Sequence, residues 1–182
     1  FNTMNIYDSF IEDMDDLQEA GSIQDWEAVP YDWRLSLNDI VSKGAEHNGR
    51  IYYDEATTTP YIEQTLRELA ASSKTGKVTL IAHSNGGLVT KALLQKLGDA
   101  ETAELVDKII FVAVPQSGAP QALGALLYGQ KERLPADEWI PYTILSQETA
   151  RAFAEHSPMT YHLLPSQAYF DTVQEDDAHP VA

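Results

Sequence analysis

Six consecutive residues, Ala82-His83-Ser84-Asn85-Gly86-Gly87, form the pattern in this chain best suited to do chemistry. They follow at once on the β-branched apolar run Lys77-Val78-Thr79-Leu80-Ile81-Ala82, and a helical pattern runs from Leu88 to Leu97 behind them. A serine between a buried strand and a helix occupies a strained, left-handed turn that lifts its hydroxyl above the sheet. The turn crowds the residues two positions away on either side, and Ala82 and Gly86 are small enough to fit. The helix behind the turn aims free N–H groups and the positive end of its dipole at a carbonyl reacting with the serine. Ser84 is therefore the candidate nucleophile and the Asn85 backbone N–H the candidate oxyanion donor, an interaction worth roughly 10²–10³ in rate. The competing reading is a Ser-Asn-Gly-Gly tight turn with no chemistry.

A serine hydroxyl needs a base to take its proton, and the base needs an acid to hold its tautomer. In a strand–serine–helix arrangement both follow the serine in the chain, acid before histidine. His179, with Asp171, Asp176 or Asp177 ahead of it, has that order, but it stands in an acidic tail without strand support. His156 and His162 are weaker candidates, His83 reads as a packing neighbour of the serine, and His47 as a helix-end residue. No later strand leads into a loop histidine, and no His-Gly loop before the first helix offers a second oxyanion donor. The base and acid are accordingly expected beyond residue 182 of a longer parent, or on another chain. No cofactor and no metal is implied: there is no phosphate-binding Gly-x-Gly-x-x-Gly or Walker pattern, and the acidic clusters at 13–16 and 175–177 lack calcium-loop spacing.

The elements that position the serine can be read outward from it. The apolar residues Phe10, Ile11, Met14 and Leu17 predict an amphipathic helix over Tyr7–Glu19, closed by Gly21. Trp26–Val29 reads as a short strand ending at Pro30, and Leu35 to about His47 as a helix stopped by Asn48-Gly49. Pro60 opens a further helix toward Lys74. After Gly98, a helix over Glu101–Val106 leads to a second buried-strand run, Lys108–Val114. Strands alternating with helices predict right-handed crossovers and a parallel α/β sheet. Residues 115–165 read as an irregular cap or insertion and 171–182 as a frayed acidic tail, the whole of 1–182 forming a single domain.

Charge limits the partners. The chain has 182 residues, 12 basic and 28 acidic, for a net charge of −16. That repels nucleic acid and anionic membrane. The acidity lies at the ends: residues 1–33 hold nine acids and residues 152–182 five, neither with a basic residue. No apolar run approaches the ~20 residues of a membrane helix. The absence of cysteine removes disulfides, zinc-thiolate sites and thiol nucleophiles. Compartment and oligomeric state are left open. A start at Phe1 rather than Met is read as a chain cut or processed from a longer one.

Three further segments give the serine motif a context. Ala28-Val29-Pro30-Tyr31-Asp32-Trp33-Arg34 resembles the Pro-Tyr-Asp-Trp-Arg signature of the lecithin:cholesterol acyltransferase-like branch of the α/β-hydrolases, which includes bacterial lipases and esterases. Phe111-Val112-Ala113-Val114-Pro115-Gln116-Ser117-Gly118-Ala119-Pro120 resembles the strand and Pro-x-x-Gly-x-Pro loop that follow the serine helix there, and Leu163-Leu164-Pro165 that branch's Leu-Leu-Pro segment. The last of these matches extends over Pro158-Met159-Thr160-Tyr161-His162-Leu163-Leu164-Pro165, and with Ala82–Gly87 the four stand in the right order across most of residues 6–166. The resemblance implies an α/β fold, a three-layer α/β/α sandwich with a mainly parallel sheet, present in part and capped irregularly. It implies a serine lipase or esterase acting on ester or lipid substrates through an acyl-Ser84 intermediate, or an acyltransferase of the same branch. A catalytically inactive, hydrolase-like binding domain is the alternative. Within Tyr31–Arg34 the expected role is structural: Asp32 and Arg34 pair locally, and Trp33 packs. An α/β-hydrolase commonly needs more than roughly 200 residues, so 182 is short for a whole triad.

Overall fold

Hydrophobic spacing and backbone punctuation account for most of the elements. A computed structural model describes residues 7–53, 59–129 and 146–172. In chain order they form α1 (Asp8–Glu19), α2 (Leu37–Ser42), β1 (Ala45–His47), β2 (Arg50–Tyr52), α3 (Tyr61–Ser72), β3 (Val78–His83), α4 (Gly86–Leu105), β4 (Val106–Val112), α5 (Pro120–Tyr128), α6 (Gln147–His156), α7 (Pro158–His162) and α8 (Gln167–Thr172). Gly21 and Gly98, at φ 69° and 78°, end α1 and break α4, as the sequence predicts. The class is mixed α/β with two small sheets, an antiparallel pair β1–β2 and a parallel pair β3–β4 joined by α4. Among the described residues no helix is long and apolar enough to cross a membrane.

The chain divides into two compact units. The first comprises Phe1–Tyr31, Val41–Ile81 and Leu93–Ile110. Its buried apolar residues include Val41, Leu66, Ala70, Leu93 and Val106. A polar network holds the faces of α3 and α4 in this unit. Glu63 accepts hydrogen bonds from Arg67, 3.0 and 2.8 Å, and from Lys96 Nζ, 2.7 Å. Lys96 also donates to the Val41 carbonyl at 3.0 Å, and Arg67 to Glu101. Helix α1 is amphipathic but buries no residue, and Trp26 Nε1 donates to Asp15 beneath it at 3.0 Å.

The second unit comprises Asp32–Ile40, Ala82–Ala92 and Phe111–Ala182. Ile40 and Met159, each 1% exposed, are its largest fully buried side chains, and burying such a residue is worth ~1.5–3 kcal/mol. Helices α5, α6 and α7 pack on one another. The buried apolar residues of α5 and α6 are small, Ala122 of α5 and Ala150 and Ala154 of α6. Ser146 caps α6 by accepting from Thr149 N–H at 3.1 Å.

Several sequence expectations change. Trp26–Val29 forms no strand, because nothing in the described residues pairs with it. The predicted helix over Leu35–His47 is only α2. Asn48-Gly49, at φ 54° and 72°, is the left-handed turn of the hairpin β1–β2, with His47 opposite Arg50, not a helix stop. The described parts of 115–165 include helices α5, α6 and α7, and Gln167–Thr172 forms α8. Finally, β3 and β4 were expected to be buried on both faces. Instead Ile81, Ile110 and Val112 are 44–46% exposed, since a two-stranded sheet leaves its outer edges and much of its faces uncovered.

The Glu63 network gives a pH signature. Burial pushes this carboxyl up, but the hydrogen bonds and charges of Lys96 and Arg67 outweigh burial and hold it below its ordinary value of 4.5. A depressed carboxyl stabilises the fold above its unfolded value, and that contribution is lost as pH falls through the lower folded value. Glu63→Gln is expected to lower stability by about 1–2 kcal/mol at pH 7 and to flatten the acid limb below about pH 4.5. Denaturant titrations of both proteins across pH 3–7 check it; parallel curves contradict it.

Candidate active site

The site lies within the second unit and is built on the end of β3. Ala82, the last strand residue but one, is 5% exposed. The chain then passes into α4 through Ser84 and Asn85 alone, and Ser84 takes φ 51°. For a residue with a Cβ this left-handed conformation costs ~1–2 kcal/mol. Two backbone hydrogen bonds hold it: the Ser84 N–H donates to the Val112 carbonyl of β4 at 2.9 Å, and the Gly87 N–H to the Ser84 carbonyl at 3.0 Å. Thr90 Oγ1 donates to the Gly86 carbonyl at 2.9 Å and steadies the first turn of α4.

The electrostatics suit an anion. Among the described residues no acceptor takes the Asn85 N–H. The first turn of α4 carries no acid, whereas α1, α3 and α6 place Asp8, Glu63 and Glu148 there. No acidic residue occurs from Leu69 to Gly98. Asn85 Oδ1 is buried with no hydrogen-bond partner among the described residues, a cost of ~1–3 kcal/mol in this turn.

A glycine the sequence did not single out makes the tightest contact described at the turn. At Gly87 a Cβ would lie 2.3 and 2.4 Å from the two methyls of Val114. Val114 is delivered by Ala113, also left-handed at φ 48°, just past the end of β4. No local pattern reveals this pairing; only the β3–β4 register brings it about.

The segments that flank the serine motif in the sequence are also joined. Ala119 N–H donates to the Leu163 carbonyl at 2.7 Å, and Ser166 donates to the Ser117 carbonyl through N–H, 2.8 Å, and Oγ, 3.1 Å. Gly118, φ 96°, lies so close that a Cβ would be 2.3 Å from the Leu164 carbonyl oxygen. Pro115–Pro120 and Leu163–Pro165 are thus one stitched structure. Asp32 and Arg34 pair as expected, with Arg34 Nε and Nη2 donating to the two carboxylate oxygens at 2.8 and 2.6 Å. That hydrogen-bonded guanidinium lowers the Asp32 pKa. Buried Ser157 donates to the Arg34 carbonyl at 3.2 Å, and Trp33 packs on Phe153 with ring centroids 5.5 Å apart.

None of the described candidate bases and acids hydrogen-bonds Ser84. Among the described residues no side chain hydrogen-bonds its hydroxyl. His156 Nδ1 donates to the Ala152 carbonyl of its own helix at 2.7 Å, and His162 is exposed at the end of α7. His47 lies in the first unit, beside Tyr52. Asp171 is exposed on α8 and accepts from Gln167 at 2.9 Å. His179, Asp176 and Asp177 lie outside the described residues. Among the described residues no group of three or more His, Asp or Glu is placed to hold a metal.

Comparison with known proteins returns no matching curated protein and no matching solved structure. The family model of lecithin:cholesterol acyltransferase, however, matches residues 3–181. That span takes in the serine turn, the Tyr31–Arg34 segment and the stitched loops together, and the chain therefore belongs to the lecithin:cholesterol acyltransferase family, within the α/β-hydrolase superfamily.

Proposed function

We propose that the chain is a serine lipase or esterase, or an acyltransferase, that acts on carboxylic esters of lipids through an acyl-Ser84 intermediate. The observation that carries this reading is the left-handed Ser84 between β3 and α4, with the Asn85 N–H beside it unclaimed by any described residue. Family membership supports a lipid acyl ester as substrate.

The steps follow from that geometry. The Ser84 hydroxyl oxygen attacks the ester carbonyl as its proton passes to a base, and the negative charge that develops on the carbonyl oxygen is met by the Asn85 N–H and the end of the α4 dipole. Collapse of the tetrahedral species expels the alcohol, which takes up the proton and leaves the acyl group on Ser84. Water or an acceptor alcohol then attacks the acyl carbonyl in the same way and frees the serine. The base belongs to this reading as a histidine outside the described residues, His179 or one on a longer or second chain. The parallel pair β3–β4 fits the middle of a three-layer α/β/α sandwich within one domain spanning 1–182. The exposed Ile81, Ile110, Phe111 and Val112 are the side chains such layers would cover.

Treatment with a fluorophosphonate, followed by peptide mass mapping, is expected to place one adduct on Ser84 and none in Ser84→Ala. A folded sample that takes no label contradicts the reading and favours a hydrolase-like binding domain. Asn85→Met removes the unpaired buried Oδ1 while keeping the backbone N–H. It is expected to raise the midpoint of thermal unfolding by a few degrees and to leave labelling intact; a lower midpoint would show that the carboxamide stabilises the turn.

A further inference from the structure

We propose that Val114 is a positioning residue for the Ser84 reaction: its methyl groups occupy the notch over Gly87 and hold the first turn of α4, and with it the Asn85 N–H, in line with the Ser84 hydroxyl. This rests on the reading of Ser84 as the nucleophile.

Three observations converge on Val114. Its methyls stand where a side chain at residue 87 would otherwise be, 2.3 and 2.4 Å from an ideal Cβ, so the α4 backbone approaches β4 as closely as a glycine allows. Gly87 is bonded directly to the reacting residue, its N–H donating to the Ser84 carbonyl at 3.0 Å. A shift of the notch is therefore passed to Ser84 and Asn85 through one hydrogen bond. Val114 is also held from both sides. Upstream, Val112 accepts the Ser84 N–H, and left-handed Ala113 turns the chain back toward α4. Downstream, Gln116 N–H donates to the Val114 carbonyl at 2.8 Å and Gly118 N–H to Pro115 at 3.1 Å. Ser117 and Ala119 are in turn tied to Ser166 and Leu163. A non-glycine residue held at positive φ beside a second one at Ser84 is stored strain, which persists only where the surroundings enforce it. The enforced product is the position of Val114.

The chemistry is sensitive to such placement. Misplacing a reacting group by about 1 Å can cost roughly 10²-fold in rate, and Val114 fills the space beside the backbone that sets it. Its removal should slow the bond-forming step and spare probe binding.

The test is saturation kinetics of fluorophosphonate labelling on the full chain, with thermal unfolding as a control for folding. Val114→Ala shortens a half-buried side chain and should fold. It is expected to lower the maximal labelling rate roughly tenfold at an unchanged half-saturating probe concentration. Val114→Thr keeps the shape and should retain the wild-type rate. Gly87→Ala should lose the rate, because the added methyl overlaps the Val114 side chain. Wild-type protein labelled at Ser84 together with a folded Val114→Ala labelled at the same maximal rate overturns the inference. Absence of label in the wild type instead overturns the assignment of Ser84, so the two failures are distinguishable.

Discussion

The second unit depends on one constraint: β3 must become α4 across two residues, and Ser84 must take a left-handed backbone to do it. Nothing in the serine itself favours that conformation. It is stabilised by the hydrogen bond from Ser84 N–H to Val112 and by the Gly87 N–H on the Ser84 carbonyl. Both require β4 to lie alongside β3 and α4 to start close to β4. Close approach in turn requires a glycine at 87, where a Cβ would overlap the Val114 side chain. The surrounding loops then follow as supports. The Pro115–Ala119 stretch is stitched to Leu163–Ser166, and Ser157 ties the Arg34 carbonyl to the junction of α6 and α7.

The charge distribution agrees with this division of labour. Acidic side chains are massed toward the chain ends, and α1 carries them on a helix that buries nothing. The stretch from Leu69 to Gly98 has none, so the first turn of α4 carries no carboxylate of its own. A helix end with free N–H groups and no neighbouring acid stabilises developing negative charge without reorganisation. Where the chain does gather charges, as at Glu63, Arg67, Lys96 and Glu101, they are paired and belong to the stability of the first unit.

How much of this was legible depends on the range of the interaction. The strand–serine–helix unit could be read because its steric demand is local: a β-branched run, small flanking residues and a helical period within about twenty positions. Gly21, Pro60 and Gly98 could be read for the same reason. The Asn48-Gly49 pair was seen, but as a stop rather than as the turn of a hairpin, since the two three-residue strands beside it are too short to show alternation. Trp26–Val29 has strand composition and no partner. The Gly87–Val114 contact was not legible, because it is set by strand register and not by spacing along the chain. Asp32 and Arg34, two residues apart, were.

Occupancy of Ser84 by substrate tests the account most directly. The protein is incubated with a short-chain activated acyl ester, quenched in acid and digested with trypsin, and the peptide Val78–Lys91 is weighed. The account predicts that this peptide gains the mass of the acyl group, that fragmentation places it on Ser84, and that Ser84→Ala abolishes it. Ester turnover with the acyl group elsewhere, or a folded protein whose Val78–Lys91 peptide never gains mass, would contradict it.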